Sequence, residues 1–163
     1  MKALIFSDSH GDSSGMKEAF LKHRDAEVCF FLGDGLGDIE GLISALPQVM
    51  LLSVAGNCDW FSGDAPKEGL FTMAGKRIFY AHGHTLGVKA GLGHGIAEAK
   101  KQQADIFLFG HTHMPLERCD TDGERPLWIF NPGSIGRGYE GVRHYGILEI
   151  RENGVLFSHG GIV

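Results

Sequence analysis

The stretch ALIFSDSH, residues 3–10, decides the fold. A run of four apolar residues in it is followed at once by polar side chains, among them Asp8 and His10. The apolar residues stand on consecutive rather than alternating positions, which indicates a strand covered on both faces. The same pattern recurs at residues 28–34, 49–59, 77–84 and 106–113, where an apolar run ends in a cluster of Gly, Asp, His or Asn. We therefore expect five buried strands whose carboxyl ends carry polar residues.

The segments between these strands predict the rest of the architecture. Helices are expected at residues 13–24, 38–46 and about 95–103, and their alternation with strands in the first half favours a parallel sheet. Residues 70–80 are typical of a hairpin, and residues 127–130, 145–150 and 155–159 predict further strands of a meander. The result is an α/β fold with two sheets and helices outside them, in a single domain spanning residues 1–163.

Composition excludes several classes of protein. A length of 163 residues with 43% hydrophobic residues suits one globular domain, and a formal charge of −5 excludes an extensive nucleic-acid-binding surface. Neither a signal peptide nor an apolar run of the roughly 18 residues needed to cross a membrane is expected. Three cysteines at scattered positions fit a reducing compartment better than a disulfide framework, so we expect a cytoplasmic protein.

Seven side chains at the predicted strand ends share one kind of chemistry, since each offers an oxygen or an imidazole nitrogen. They are Asp8, His10, Asp34, Asn57, His82, His111 and His113. A single Asp-x-His or His-x-His pair is more often a capping or hydrogen-bonded pair than a metal site. Five such clusters in register instead indicate two divalent transition-metal ions, because the set exceeds what one ion needs.

The same clusters carry a family resemblance. The motifs at residues 8–10, 33–34, 56–59, 82–84 and 110–113 resemble, in order and spacing, those of the calcineurin-like metallophosphoesterases. The short chain, the GNCD motif at 56–59 and the NPGS motif at 131–134 are similar to the small prokaryotic YfcE-like branch. The resemblance implies a four-layer α/β/β/α sandwich, with two mixed β-sheets flanked by helices.

The resemblance also implies a ligand set for each ion. It assigns Asp8, His10 and His113 to the first metal, makes Asp34 the bridge, and gives the second metal Asn57, His82 and His111. Manganese is the first choice for both ions, with iron, nickel, cobalt or zinc as alternatives. Asp34 and Asn57 would then serve catalysis as well as metal binding, and Asn57 would also contact the substrate.

Four neighbouring positions have roles that the sequence leaves open. Cys58 is a candidate substrate contact. It stands where many relatives have a histidine that contacts phosphate and protonates the leaving oxygen, which puts the usual acid in doubt. His84 is a candidate substitute acid or a structural turn residue. Asp59 either supports catalysis or caps its turn, and Arg137 would meet a substrate phosphate or a neighbouring carboxylate.

We therefore expect a metal-dependent phosphodiesterase that acts on a small phosphoester by in-line attack of a metal-bridging hydroxide. The alternatives are a phosphomonoesterase or nucleotide phosphatase, and a non-catalytic protein-binding scaffold of the same fold. The complete seven-residue ligand set argues against the scaffold. No membrane partner is expected, and a homo-oligomer is left open.

Overall fold

The computed structural model describes residues 1–138 and 140–163, and its regular elements alternate strand and helix in the first half of the chain. The three α-helices are α1 (Ser14–Lys22), α2 (Leu36–Ile43) and α3 (Gly93–Lys101), and a 3₁₀ turn spans His84–Leu86. The strands are β1 (Lys2–Phe6), β2 (Val28–Phe31), β3 (Met50–Ser53), β4 (Glu68–Met73), β5 (Lys76–Ala81), β6 (Ile106–Phe109), β7 (Leu116–Asp120), β8 (Leu127–Asn131), β9 (Arg143–Arg151) and β10 (Gly154–Ile162). Within the described ranges, no helix is both long and apolar enough to span a membrane.

The strands form two mixed five-stranded sheets. The first has the order β10-β9-β1-β2-β3 and the second the order β4-β5-β6-β8-β7. In the first sheet β1, β2 and β3 are parallel, and in the second β5, β6 and β8 are parallel. In the first sheet β9 pairs antiparallel with β1 and with β10, and in the second sheet β4 pairs antiparallel with β5, and β7 with β8. The parallel strands therefore end together at one edge of each sheet.

Alternation along the buried strands generates the four layers. In β1, Ala3 and Ile5 join the apolar cluster between the two sheets, whereas Leu4 and Phe6 join the cluster under α1 and α2. In β6, Phe107 and Phe109 face a third cluster that includes residues of α3. Since each sheet is covered by apolar side chains on both faces, the order of layers is α/β/β/α, as the family resemblance implies.

Two expectations about strands were wrong, and one strand was missed. β3 lies at the edge of the first sheet and is only half-buried, although the sequence predicts a buried strand there. β7 was not predicted, because it is an edge strand with the sequence LERCD and most of its side chains lie outside the core. Residues 127–130 do form a strand, but β8 pairs with β6 and β7 in the second sheet and is not part of a meander with β9 and β10. The helices begin and end within three residues of their predicted bounds. The single-domain assignment stays a prediction.

Backbone hydrogen bonds connect the strand ends to one another. The amide of Asp8 donates to the carbonyl of Gly33 (2.9 Å), and the amide of His10 donates to the carbonyl of Asp34 (3.0 Å). In the second sheet the amide of Gly110 donates to the carbonyl of His82 (3.0 Å). Backbone hydrogen bonds alone therefore hold the loops that follow the parallel strands beside each other.

The substitution Phe30→Ala tests the packing of the two sheets against each other. Phe30 is fully buried and packs against Tyr80 of the other sheet, with ring centroids 5.2 Å apart. Phe30→Ala is expected to lower the free energy of unfolding by about 3–5 kcal/mol in a urea titration, because it leaves a cavity in the central layer. Leu156→Ala, at a side chain 55% exposed on β10, is the control and should change it by less than about 0.5 kcal/mol. Equal effects of the two substitutions would contradict this packing.

Candidate metal centre

The structure brings all seven predicted ligands together where the two sheets meet. Asp8 and His10 follow β1, Asp34 follows β2 and Asn57 follows β3. His82 follows β5 of the second sheet, and His111 and His113 follow β6. The site is therefore assembled from both sheets, and it depends on their packing.

Asp8, His10 and His113 form one compact group. The Nε2 atom of His113 lies 3.1 Å from Oδ1 of Asp8 and 3.4 Å from Nε2 of His10. The Nε2 atom of His10 lies 3.8 Å from the same carboxylate oxygen. Two imidazole nitrogens and a carboxylate oxygen converge here, which is a donor set that suits a divalent transition-metal ion.

A second group forms around His82. Its Nε2 atom lies 3.1 Å from Nδ1 of His111, 3.1 Å from Oδ1 of Asn57 and 3.5 Å from Oδ2 of Asp34. The same Oδ2 atom of Asp34 is 3.9 Å from Nε2 of His10 in the first group. Asp34 therefore lies between the two groups, where a shared ligand would have to be.

The backbone at these ligands adopts an uncommon conformation. Eight non-glycine residues have positive φ in the part of the chain that the structure describes, and five of them are predicted ligands. These five are Asp8 (58°), His10 (48°), Asp34 (60°), His111 (65°) and His113 (62°). A residue held in a sparsely populated φ/ψ region costs about 1–3 kcal/mol of conformational free energy, so it persists only where the surrounding structure fixes it. Such residues concentrate at functional sites. Sequence reasoning missed this feature.

Neighbouring groups orient the ligand side chains. The Nδ1–H of His82 donates to the carbonyl of Leu32 (2.6 Å), which leaves Nε2 free to bind a metal. Asp8 accepts hydrogen bonds at Oδ2 from the Ser7 hydroxyl (2.5 Å) and from the His111 amide (3.1 Å). The Ser134 hydroxyl donates to the Asp8 carbonyl (2.9 Å), so the NPGS turn holds the backbone at Asp8 in place.

Asp59 fastens the loop that carries Asp34. Its two carboxylate oxygens accept four backbone hydrogen bonds, from Asp34 (2.7 Å), Gly35 (2.8 Å), Leu36 (3.0 Å) and Gly56 (2.8 Å). The side chain thereby joins the loops after β2 and β3. Asp59 therefore caps its own turn and also positions a predicted ligand, and its role in catalysis stays a prediction.

Glycine is required where these two loops approach each other. A Cβ atom on Gly56 would lie 2.1 Å from Oδ1 of Asp34, and one on Gly33 would lie 2.5 Å from the Gly56 amide nitrogen. Gly33 also has a φ of 95°, which disfavours any other residue. The glycines after the apolar runs therefore allow the carboxylate to sit against the backbone of the next loop.

The electrostatics favour the forms of the side chains that bind metals. Burial opposes ionisation of Asp34, but hydrogen bonds from His82 and from the Cys58 amide outweigh it and lower the pKa of Asp34. Burial and the nearby His82 lower the pKa of His111 to about 4. An ionised Asp34 and a neutral His111 are the states that coordinate a cation. Burial lowers the pKa of His82, but the carboxylates of Asp34 and Asp8 outweigh it and raise the pKa, so a metal would displace a proton there.

The remaining predicted site residues lie around this centre. Cys58 is exposed, and its amide donates to Oδ1 of Asp34 (2.7 Å). Burial and the Asp34 carboxylate raise the pKa of the Cys58 thiol, which favours the neutral thiol over a thiolate nucleophile. Arg137 is exposed beyond the NPGS turn, where its amide donates to the Ser134 hydroxyl (2.9 Å).

His84 lies against the second ligand group. Its ring centroid is 5.3 Å from that of His82, and its buried Nδ1 atom has no hydrogen-bond partner among the described residues. Burial and His82 lower the pKa of His84, which favours a neutral imidazole at pH 7. A neutral ring is a weaker proton donor, so the general-acid role of His84 stays a prediction.

Comparison with known proteins relates the site to a family. The profile described as the calcineurin-like phosphoesterase superfamily domain matches residues 1–153. The probable metallophosphoesterase YsnB of Bacillus subtilis is 35% identical over 135 residues, which cover 83% of this chain and 75% of that protein. The phosphodiesterase YfcE of Escherichia coli is 27% identical over 175 residues, covering 91% of this chain and 88% of YfcE.

Solved structures share the fold. The structure of E. coli YfcE superimposes with a TM-score of 0.67 at 25% identity, over 91% of this chain and 88% of that one. Vps29 of Entamoeba histolytica, solved in complex with zinc, superimposes with a TM-score of 0.75 at 18% identity, over 99% of each chain. At that identity the second likeness concerns the fold alone.

Asp59→Asn tests the fastening of the Asp34 loop. An amide offers one acceptor oxygen, so about half of the four backbone hydrogen bonds should be lost and the loop should loosen. We expect metal affinity to fall by about 10–100-fold in calorimetric titration with Mn²⁺, although Asp59 is not itself a predicted ligand. Asp64→Asn, at an exposed carboxylate in the same loop, removes the same charge and should leave the affinity unchanged. Identical losses in both variants would point to overall charge rather than to the hydrogen bonds.

Proposed function

The chain belongs to the calcineurin-like phosphoesterase superfamily, and we propose that it is a metal-dependent phosphodiesterase with a dinuclear centre. One observation carries the proposal: Oδ2 of Asp34 faces a ligand group on each side, at 3.9 Å from His10 and 3.5 Å from His82. A single carboxylate placed between two sets of nitrogen and oxygen donors is the arrangement that two neighbouring cations need.

Asp8, His10 and His113 would hold one ion, and Asn57, His82 and His111 the other, with Asp34 shared. The donors mix imidazole, carboxylate and amide oxygen, which suits manganese, iron, nickel, cobalt or zinc, and Mn²⁺ is our first choice. When bound, such ions supply positive charge for the phosphoryl oxygens and make water nucleophilic near neutral pH.

The charges of the ligand set support an anionic substrate. Among the seven ligands only Asp8 and Asp34 carry negative charge, since Asn57 offers a neutral oxygen and the histidines bind as neutral rings. Two divalent ions would therefore leave a net positive site. Positive charge fixed in place before the substrate arrives is what stabilises the charge that develops on a phosphoryl group.

The surroundings of the centre favour ester groups that leave without protonation. Cys58 provides a thiol with a raised pKa where many relatives have a histidine, and His84 has a lowered pKa. Neither provides a cationic proton donor at neutral pH. Asn57, Cys58 and the exposed side chain of Arg137 remain the candidates for contact with the substrate.

The diester preference is supported by the relatives, since E. coli YfcE carries the name of phosphodiesterase. A monoesterase or nucleotide phosphatase would use the same centre. Only an assay that compares diester and monoester substrates distinguishes these activities. A scaffold would share the same fold, but the two converging ligand groups favour an enzyme. We also propose a cytoplasmic location, since Cys29, Cys58 and Cys119 are free thiols.

His113→Ala tests whether the candidate metal centre is required for hydrolysis. Loss of one ligand from the first group should reduce hydrolysis of bis-p-nitrophenyl phosphate by at least about 10²-fold, because fixed positive charge provides much of the catalysis. Chelation should abolish the activity of the wild-type protein, and Mn²⁺ should restore it. The measurement is kcat/KM together with metal content by elemental analysis.

The control is His94→Ala, at an exposed histidine on α3 outside the centre. It should retain both activity and two ions per chain. Equal turnover in the His113→Ala and wild-type proteins at equal metal loading would contradict the proposal. Faster hydrolysis of p-nitrophenyl phosphate than of the diester would favour the monoesterase.

Cys58→His tests the missing acid. A histidine there should speed the hydrolysis of alkyl esters, whose leaving groups need a proton, by part of the ~10²–10⁴-fold that acid catalysis supplies. Esters with a p-nitrophenyl leaving group should change much less. Cys58→Ala is the matched control and should have little effect on aryl diesters. A collapse of aryl-diester hydrolysis in Cys58→Ala, with both ions retained, would show a direct catalytic role of the thiol.

A further inference from the structure

An apolar groove opens beside the candidate metal centre on the side of the second sheet. It encloses about 610 Å³ between the segment that precedes α3 and the segment that connects β6 to β7. Its lining includes Val88, Lys89, Leu92, Thr112, Met114 and Pro115. A volume of this size falls in the range of small-molecule sites, which is roughly 300–1,000 Å³.

The groove has an apolar floor and rim. Phe109 and Val88 are 2% and 5% exposed and form the floor, whereas Met114 is 54% exposed at the rim. An exposed methionine with an unbranched, adaptable side chain is suited to cover ligands of varied shape. The lining therefore favours a nonpolar occupant.

The groove adjoins the candidate metal centre through the segment that carries two of the predicted ligands. Thr112, in its wall, lies between the predicted ligands His111 and His113, and Met114 directly follows His113. Lys89 adds one positive charge to the lining. An occupant that is apolar along its length and anionic at the end nearest the metals matches both features.

A second concavity on the side of the first sheet has different chemistry. It encloses about 350 Å³ and is lined by Cys58, Trp60, Phe61, Ser62 and Glu40, among others. Trp60 and Phe61 are 82% and 101% exposed, so they form a surface rather than a floor. The Glu40 carboxylate makes this side less suited to a long apolar chain next to an anionic phosphate.

We propose that the groove beside Met114 binds a nonpolar alkyl or aryl ester group of the substrate, so that the preferred substrates are phosphodiesters with one extended apolar arm. The inference rests on the proposed phosphodiesterase activity and names its substrate class. The phosphoryl group would lie at the metals, with the apolar arm directed along residues 88–92 and 112–116.

A series of alkyl p-nitrophenyl phosphates with methyl, butyl and octyl arms tests the proposal. The leaving group is constant, so differences in kcat/KM report the contact of the arm. For the wild-type protein with Mn²⁺ we expect kcat/KM to rise roughly two- to fourfold for each of the first methylenes that the groove covers. Met114→Ser and Leu92→Ala should each lower the ratio of the butyl to the methyl ester by at least about threefold, since each removes apolar contact.

Two controls locate the effect. Leu156→Ala removes an equally exposed apolar side chain on β10, and Trp60→Ala alters the opposite concavity; both should keep the wild-type ratio. Metal content is measured for every variant, so that a disturbance of His113 by its neighbour Met114 is recognised as metal loss. The ratio, unlike the rate, does not respond to partial metal loading.

The outcomes separate this inference from the proposed function. Hydrolysis of the esters with no dependence on arm length overturns the groove assignment and leaves the phosphodiesterase standing. A ratio lost in Trp60→Ala but kept in Met114→Ser and Leu92→Ala places the arm on the opposite side and also overturns it. If none of the diesters is hydrolysed, both the proposed function and this inference are overturned.

Discussion

The site depends on the junction of two sheets at a single carboxylate. Asp34 belongs to the first sheet, yet its Oδ2 atom lies 3.5 Å from His82 of the second. Its other oxygen accepts a hydrogen bond from Cys58, and its backbone is fastened by Asp59. A shift of one sheet against the other would therefore disrupt both candidate ligand groups, since each group draws donors from both sheets. The aromatic packing between the sheets, as of Phe30 against Tyr80, keeps them in register.

This arrangement is costly for the isolated protein. Five predicted ligands have left-handed backbone conformations, and imidazole nitrogens approach one another at 3.1–3.4 Å. The left-handed conformations oppose folding by themselves, and a cation bound between the donors would add favourable bonds. The hydrogen bonds of Ser7, Ser134 and Asp59 hold the ligands in this strained form. The binding of metal should therefore add to the stability of the folded chain.

The sequence predicted the two-sheet architecture and four of the five expected buried strands, because strands buried on both faces have consecutive apolar residues. β3 is the exception, since it lies at a sheet edge and is half-buried. It also predicted which side chains meet, since parallel strands deliver their carboxyl ends to one edge. β7 could not be predicted, because an exposed edge strand such as Leu116–Asp120 is defined by its partner rather than by its own apolar pattern. The placement of β8 in the second sheet depends on long-range strand pairing, and the local sequence does not indicate which strands pair.

The details of the site were less accessible for a related reason. Neither Asp nor His requires a positive φ, so the strained backbone has no sequence signature, and the double role of Asp59 depends on four amides that come together only in the folded chain. The groove beside Met114 draws its lining from two segments about twenty residues apart, which no motif connects. The candidate ligands are fixed by strand ends that the core holds rigid, whereas the groove is made by connecting segments that core packing constrains less. In the proposed enzyme, chemistry and substrate choice would therefore vary separately, because a change at Met114 or Leu92 would alter the shape of the groove without moving a strand.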